Sequence, residues 1–166
     1  ELKDSTPGIL GVIADIIKVE KQYETAIETA LGGTIQNIVT DKENTAKELI
    51  NYLKVNKLGR ATFLPLNAIH SRNTLENDNC INEKGVVGVA SNLVRVSFEY
   101  EGLAKYLLGR ILVVDNIENA LVIARKYKYS LRIVTLEGEQ LNPGGSMTGG
   151  AFKNSSNLLG RRREIE

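Results

Sequence analysis

The sequence has no tryptophan and, among its 166 residues, only one histidine, one cysteine, one methionine and three prolines. A single cysteine, Cys80, excludes an internal disulfide framework and suits a reducing compartment. His70 stands in a polar stretch and Cys80 has neither a second Cys nor a nearby His, so no zinc-ligand spacing is present. Aromatic residues make up 5%, too little material for a platform that stacks single-stranded bases. No apolar run reaches membrane-spanning length and no signal-peptide pattern opens the chain, which argues against a membrane partner. No Ser, Cys or Lys is accompanied by a base and an orienting group, and no carboxylate pair is set for acid–base work. The reading is therefore of a chain without a catalytic site, metal or cofactor of its own. It opens on "ELKDSTPG" without a Met, which suggests a piece of a longer protein.

What is present is an ordinary globular composition, 42% hydrophobic and 25% charged, with net charge +1. The charge is uneven: residues 1–83 hold 9 Lys/Arg against 12 Asp/Glu, and residues 84–166 hold 12 against 8. The halves also repeat. "GVIADIIKVEKQYETAIETALG" (11–32) aligns without a gap on "GVASNLVRVSFEYEGLAKYLLG" (88–109), with Gly11, Val12, Val19, Tyr23, Glu24, Leu31 and Gly32 answering Gly88, Val89, Val96, Tyr100, Glu101, Leu108 and Gly109. After a short offset "IQNIVTDKENTAKELINYLK" parallels "ILVVDNIENALVIARKYK", so that Asp41 and Ala46 answer Asp115 and Ala120. The chain reads as two copies of one unit.

Each copy predicts helix, strand, helix, strand. Tyr23, Ala26, Ile27, Ala30 and Leu31 fall at helical spacing, and Gly32-Gly33 stop the helix. "TIQNIVT" and "RATFLPL" read as strands in copy one, "RILVV" and "LRIVTL" in copy two, with a helix over 100–108 before them. Asp41 and Asp115 are expected as N-caps of the helices that follow. The fold class is α+β (mixed α/β): two pseudo-symmetric helix-on-sheet lobes at 8–66 and 85–152, joined by an irregular polar connector at 67–84.

The stretch "NPGGSMTGG" (142–150) concentrates four glycines in seven residues. A P-loop needs Lys and then Ser/Thr after the second glycine. Here Gly149 is followed by Gly150, and the lysine arrives only at Lys153. A linker has no use for Met147 or for the flanking Leu141 and Phe152. A glycine-rich edge strand remains, over which a partner backbone can come close, with Pro143 suited to an edge because it cannot donate into a continuing ladder. Gly144, Gly145, Ser146, Met147, Thr148, Gly149 and Gly150 are the expected dimer interface.

"GGSMTGG", a polar spacer and "LLGRRREIE", together with "PGILGVIADIIKVEKQYETAIETALGG", "GRATFLPL" and the two-copy layout, resemble the hinge domain of structural maintenance of chromosomes (SMC) proteins, bacterial ones above all. The resemblance covers essentially the whole chain. It implies a hinge midway along a very long polypeptide, between coiled-coil arms that fold back antiparallel, with 1–7 ending the incoming arm and 153–166 a linker starting the outgoing one. It implies a homodimer with a ring-like body, and distant heads that bind ATP and magnesium in the full-length protein. Chromosome condensation and segregation, sister chromatid cohesion, DNA replication, a cytoplasmic and nucleoid-associated location, and other condensin subunits as partners follow from the same resemblance.

Two observations add to it. Leu158 and Ile165 lie seven apart among Arg161, Arg162, Arg163, Glu164 and Glu166, as at the start of a charged coiled coil. Lys153, Arg161, Arg162 and Arg163 form one basic run, and Arg125, Lys126 and Lys128 another, both candidates for nonspecific contact with DNA phosphates. The rival function is a DNA-binding module in which dimerisation is secondary, and a nucleotide-dependent enzyme is disfavoured by the failed P-loop.

Overall fold

The computed structural model describes residues 7–70 and 73–151. The first copy runs β1 (Ile9–Val12), a one-turn α1 (Ile13–Ile16), β2 (Lys18–Val19), α2 (Glu24–Leu31), β3 (Ile38–Thr40), α3 (Glu43–Val55) and β4 (Phe63–Pro65). The second runs β5 (Val86–Val89), β6 (Val94–Arg95), α4 (Glu101–Leu108), β7 (Ile111–Val114), α5 (Ile117–Lys126), β8 (Arg132–Thr135), β9 (Gln140–Leu141) and β10 (Met147–Thr148).

The duplication seen in the sequence is structural. The 3₁₀ turn at Lys21–Tyr23 and α2 recur at Phe98–Tyr100 and α4 at one constant offset, and a ladder irregularity between Ile9 and Gly11 recurs between Val86 and Gly88. β3 pairs antiparallel with β1 and parallel with β4; β7 pairs antiparallel with β5 and parallel with β8. Thus the sheet order β1-β3-β4 is repeated as β5-β7-β8, and only the second sheet continues, through β9 to β10.

β7 shows why the sequence takes this form. Its four residues, Ile-Leu-Val-Val, are all buried, as a central strand covered on both faces requires. Period two sends Ile111 and Val113 into one core and Leu112 and Val114 into another. The second core lies under α5 and gathers Ala120, Ile123, Ala124, Ile133 and Leu141. The first core draws on both copies at once: Ile13, Ile17, Ile27 and Val39 meet Leu103, Leu108, Val113 and Val134. Each fully buried aliphatic side chain contributes roughly 1.5–3 kcal/mol, and here much of that is shared between the halves. A two-stranded ribbon of β2 and β6 also bridges them.

Three expectations need correction. Asp41 and Asp115 are not N-caps; Lys42 and Asn116 hold those positions, and the Asn116 side chain accepts from Asn119 N–H. The aspartates stand one residue earlier because their own amides already donate to Gly8 and Gly85 carbonyls, which fixes them in the ladder. Their carboxylates instead accept from Thr45 Oγ1 at 2.6 Å and Asn119 Nδ2 at 2.9 Å. The strand over "TIQNIVT" shortens to Ile38–Thr40, since Gly32–Gln36 forms a 3₁₀ turn that begins with Gly32 at φ 54. The connector holds two short 3₁₀ turns, Leu75–Asn77 and Asn79–Asn82, and it contributes to the core: Leu75 and Cys80 are each 1% exposed in the second core.

Candidate functional site

The glycine stretch is a hairpin. Asn142 starts its turn, Pro143 presets φ at the second position, Gly144 takes φ 93 at the third, and Gly145 N–H closes back on Asn142 O at 3.0 Å. These are the marks of a type II turn. Pro143 therefore serves the turn rather than the strand, and Gly144 and Gly145 (φ 111) are demanded first by backbone conformation. Ser146 O then accepts from Asn142 N–H, and Met147–Thr148 pair with Leu141 and Gln140 as β10.

β10 is the end of the five-stranded sheet, and no described strand lies beyond it. Alternation decides what it presents. Because Ser146 O faces β9 and Thr148 sits opposite Gln140, the N–H and C=O of Met147 and Gly149 point away from the sheet. Ser146, Met147, Thr148, Gly149 and Gly150 are all exposed, Met147 at 50%. A Cβ at Gly144 or Gly150 would meet nothing within 4 Å, so the space beside them is open.

A second open edge went unread in the sequence. Ile38 N–H donates to Thr62 O and Leu66 N–H to Thr40 O, so even-numbered residues of the β4 segment face β3. The N–H and C=O of Ala61 and Phe63 consequently point outward, and Pro65 costs the ladder no donor. Pro65 O is occupied by Ala68 and Ile69 N–H, which ends the edge there. The sequence signal was Pro65 itself, a proline inside an apolar strand.

The two basic runs fare differently. Lys153, Arg161, Arg162 and Arg163 lie outside the described residues, as do the outgoing arm and all of the incoming one but Pro7. Arg125, Lys126 and Lys128 sit at the end of α5, next to the hairpin: Gly144 N–H donates to Tyr129 O at 2.8 Å. Lys126 is bound to Glu83 at 2.8 Å, and Tyr127 Oη donates to the same carboxylate at 2.8 Å. That pairing holds Glu83 below the usual carboxylate range and pushes the Tyr127 phenol up to about 12. The buried Cys80 thiol is pushed up by desolvation. His70 shares no cluster, and among the described residues no group of three or more His, Cys, Asp or Glu could hold a metal. No described helix is long and apolar enough to cross a membrane.

A duplicated helix-on-sheet body with an open edge at each end is an architecture suited to strand pairing. Comparison with known proteins agrees with that class. The family model "SMC proteins Flexible Hinge Domain" matches residues 6–124, and the chain belongs to that family. The chain is 47% identical over 98% of its length to the chromosome partition protein Smc of Desulfitobacterium hafniense, and 46% over 99% to that of Bacillus subtilis. In each case it spans 14% of the relative's length. A crystal structure described as an asymmetric dimer of the Geobacillus stearothermophilus SMC hinge domain superposes with a TM-score of 0.89 at 44% identity, covering 98% of this chain and 66% of that one.

Proposed function

We propose that this chain joins two copies of a longer chromosome-organising protein by edge-to-edge pairing of their sheets. One asymmetry carries the reading. The first copy, lobe I at 8–66, ends its sheet at β4, whereas the equivalent β8 of lobe II at 85–152 is covered by β9 and β10. Laying β10 of one chain along β4 of another supplies the missing neighbour, with Met147 and Gly149 opposite Ala61 and Phe63. A two-fold dimer makes this contact twice and leaves a ring-like body with a hole at its centre. About eight added hydrogen bonds at ~0.5–1.5 kcal/mol each give roughly 4–12 kcal/mol. Association costs ~4–15 kcal/mol, so apolar burial around Met147 and Phe63 must supply the surplus.

In the whole protein the segments 1–7 and 153–166 lead into the coiled-coil arms, 67–84 connects the lobes, and ATP and magnesium belong to distant heads. That protein acts in chromosome partition, at the nucleoid in the cytoplasm, with condensin subunits touching other parts of it. Nonspecific DNA contact by the basic residues around the hairpin accompanies dimerisation. The rival reading, DNA binding first, draws on the nearness of Arg125 and Lys128 to the glycine hairpin. Solution mass without DNA separates the two. Met147→Pro removes an outward N–H and places a ring where a partner strand would lie. Its mass should fall from about twice to about once 18.2 kDa with unchanged circular dichroism. A wild-type monomer that associates only on DNA would favour the rival.

A further inference from the structure

Two cations face each other where the halves of the chain join. β2 and β6 pair antiparallel, with Lys18 opposite Arg95. These residues are 77 apart, the spacing of the repeat, so the ladder sets one position against its own counterpart, and the local two-fold passes through the pair. Like charges directly opposite in an antiparallel ladder repel and destabilise it. A local rule broken in this way marks a place to look for function.

Both side chains line one cleft of about 600 Å³, within the range of small-molecule sites. Among the described residues Asp15 is its only carboxylate, so their lining carries two positive charges against one negative. Asp15 and Lys18 each have a partner within the chain, so a phosphate would share Lys18 with it. Arg95 is exposed, and its side chain makes no hydrogen bond or ion pair among the described residues. Ser97 and Tyr100 bring hydroxyl groups, and Ile16 and Val96 an apolar wall. Phe98, 84% exposed, follows Ser97 directly. A second cleft of about 460 Å³ shares Arg95 and adds Lys105, but Glu76 and Glu101 balance those two cations, which suits an anion less than the first cleft does.

We propose that the first cleft binds a phosphate-bearing ligand of nucleotide size, with its phosphate between Lys18 and Arg95 and its planar or apolar part against Tyr100, Ile16 and Val96. The site lies within one chain and is independent of the strand pairing proposed above.

The test follows backbone amide signals of the 166-residue chain during titration with adenosine 5′-monophosphate, inorganic phosphate and unphosphorylated adenosine. The nucleotide should shift Lys18, Arg95, Ser97 and Tyr100, inorganic phosphate should shift the first two, and adenosine should shift none. Arg95→Glu turns a repelling cross-strand pair into an attracting one. It should keep or raise Tm while weakening nucleotide binding about tenfold or more, the loss expected for one charge-assisted hydrogen bond. Arg95→Gln repeats the titration if that variant fails to fold, and Arg95→Lys should restore most of the binding. An oligothymidylate that displaces the nucleotide would identify a strand phosphate as the source, and one that does not would identify a free nucleotide. Absence of shifts at millimolar nucleotide, equal shifts with adenosine, or unchanged binding in Arg95→Glu would overturn the proposal.

Discussion

Gly85→Ala should be among the most damaging single-methyl changes in this chain. Gly85 sits at φ 90, where a side chain is strained, and its carbonyl accepts the Asp115 amide at 2.9 Å. A Cβ there would lie 2.5 Å from Asn119 Nδ2 and 2.6 Å from Asp115 Oδ1. The left-handed conformation costs ~1–2 kcal/mol for a residue with a Cβ, and crowding of this kind adds ~1–3 kcal/mol. The sum is roughly 2–5 kcal/mol, which for a chain of this size lowers Tm on the order of 10 °C. Gly8→Ala, the equivalent change in the first copy, meets Asp41 Oδ1 and Thr45 Oγ1 at 2.8 Å and should cost somewhat less. Gly33→Ala, with open space around it and no positive φ, should move Tm little. Thermal melts by circular dichroism at matched protein concentration read all three. Adding Asn119→Ala should recover only part of the Gly85→Ala loss, because the conformational cost remains. A Gly85→Ala chain that melts with the wild type would refute the reasoning about both entry glycines.

Alkaline stability should depend on Tyr127. Its phenol titrates near 10 when unfolded and about 12 when folded, so the protonated form is favoured by folding. That contribution is complete below the unfolded value and is lost as pH rises through the folded one. Tyr127→Phe should abolish this part of the alkaline decline in Tm, and an unaltered pH profile would disprove the assignment. Glu83 runs the other way, since its folded pKa is lowered by Lys126 and Tyr127: its contribution is present above the ordinary carboxylate value and is lost in acid. Glu83→Gln should therefore flatten the acid side of the same profile. Charge reversal of Lys153, Arg161, Arg162 and Arg163 to Glu should weaken DNA binding and flatten its salt dependence while leaving the dimer mass unchanged. Binding that is unaltered at low salt would reduce that run to a solvated coiled-coil surface.

The duplication was legible because both copies keep the same apolar positions and the same glycines at one offset. The matched glycines Gly11 and Gly88 and Gly32 and Gly109 followed from it directly, as did the helix expected over 100–108 and found at Glu101–Leu108. The glycine stretch was legible as an edge, while the turn signal in Asn142-Pro143-Gly144 was passed over because Pro143 was assigned to the strand edge rather than to the second position of a type II turn. Leu75 and Cys80 were lost in a polar connector because isolated apolar residues carry no period. The shared first core could not be read at all: Ile27 and Leu103 show amphipathic helices, but nothing in either pattern says that they meet. The Asp caps missed by one residue because the amides of Asp41 and Asp115 belong to the sheet, a tertiary constraint that outweighs a local preference.

The pairing of β10 with a partner's β4 is tested most directly by mixing two variants that each block one edge. Met147→Pro obstructs β10 and Phe63→Pro obstructs β4, and each alone should be monomeric, because every contact in its homodimer contains a blocked strand. In a mixed dimer one contact has both strands blocked and the other has both intact. Native mass spectrometry of the mixture should therefore show a heterodimer and neither homodimer. A mixture that stays monomeric, or a Phe63→Pro chain that dimerises like the wild type, would contradict the account.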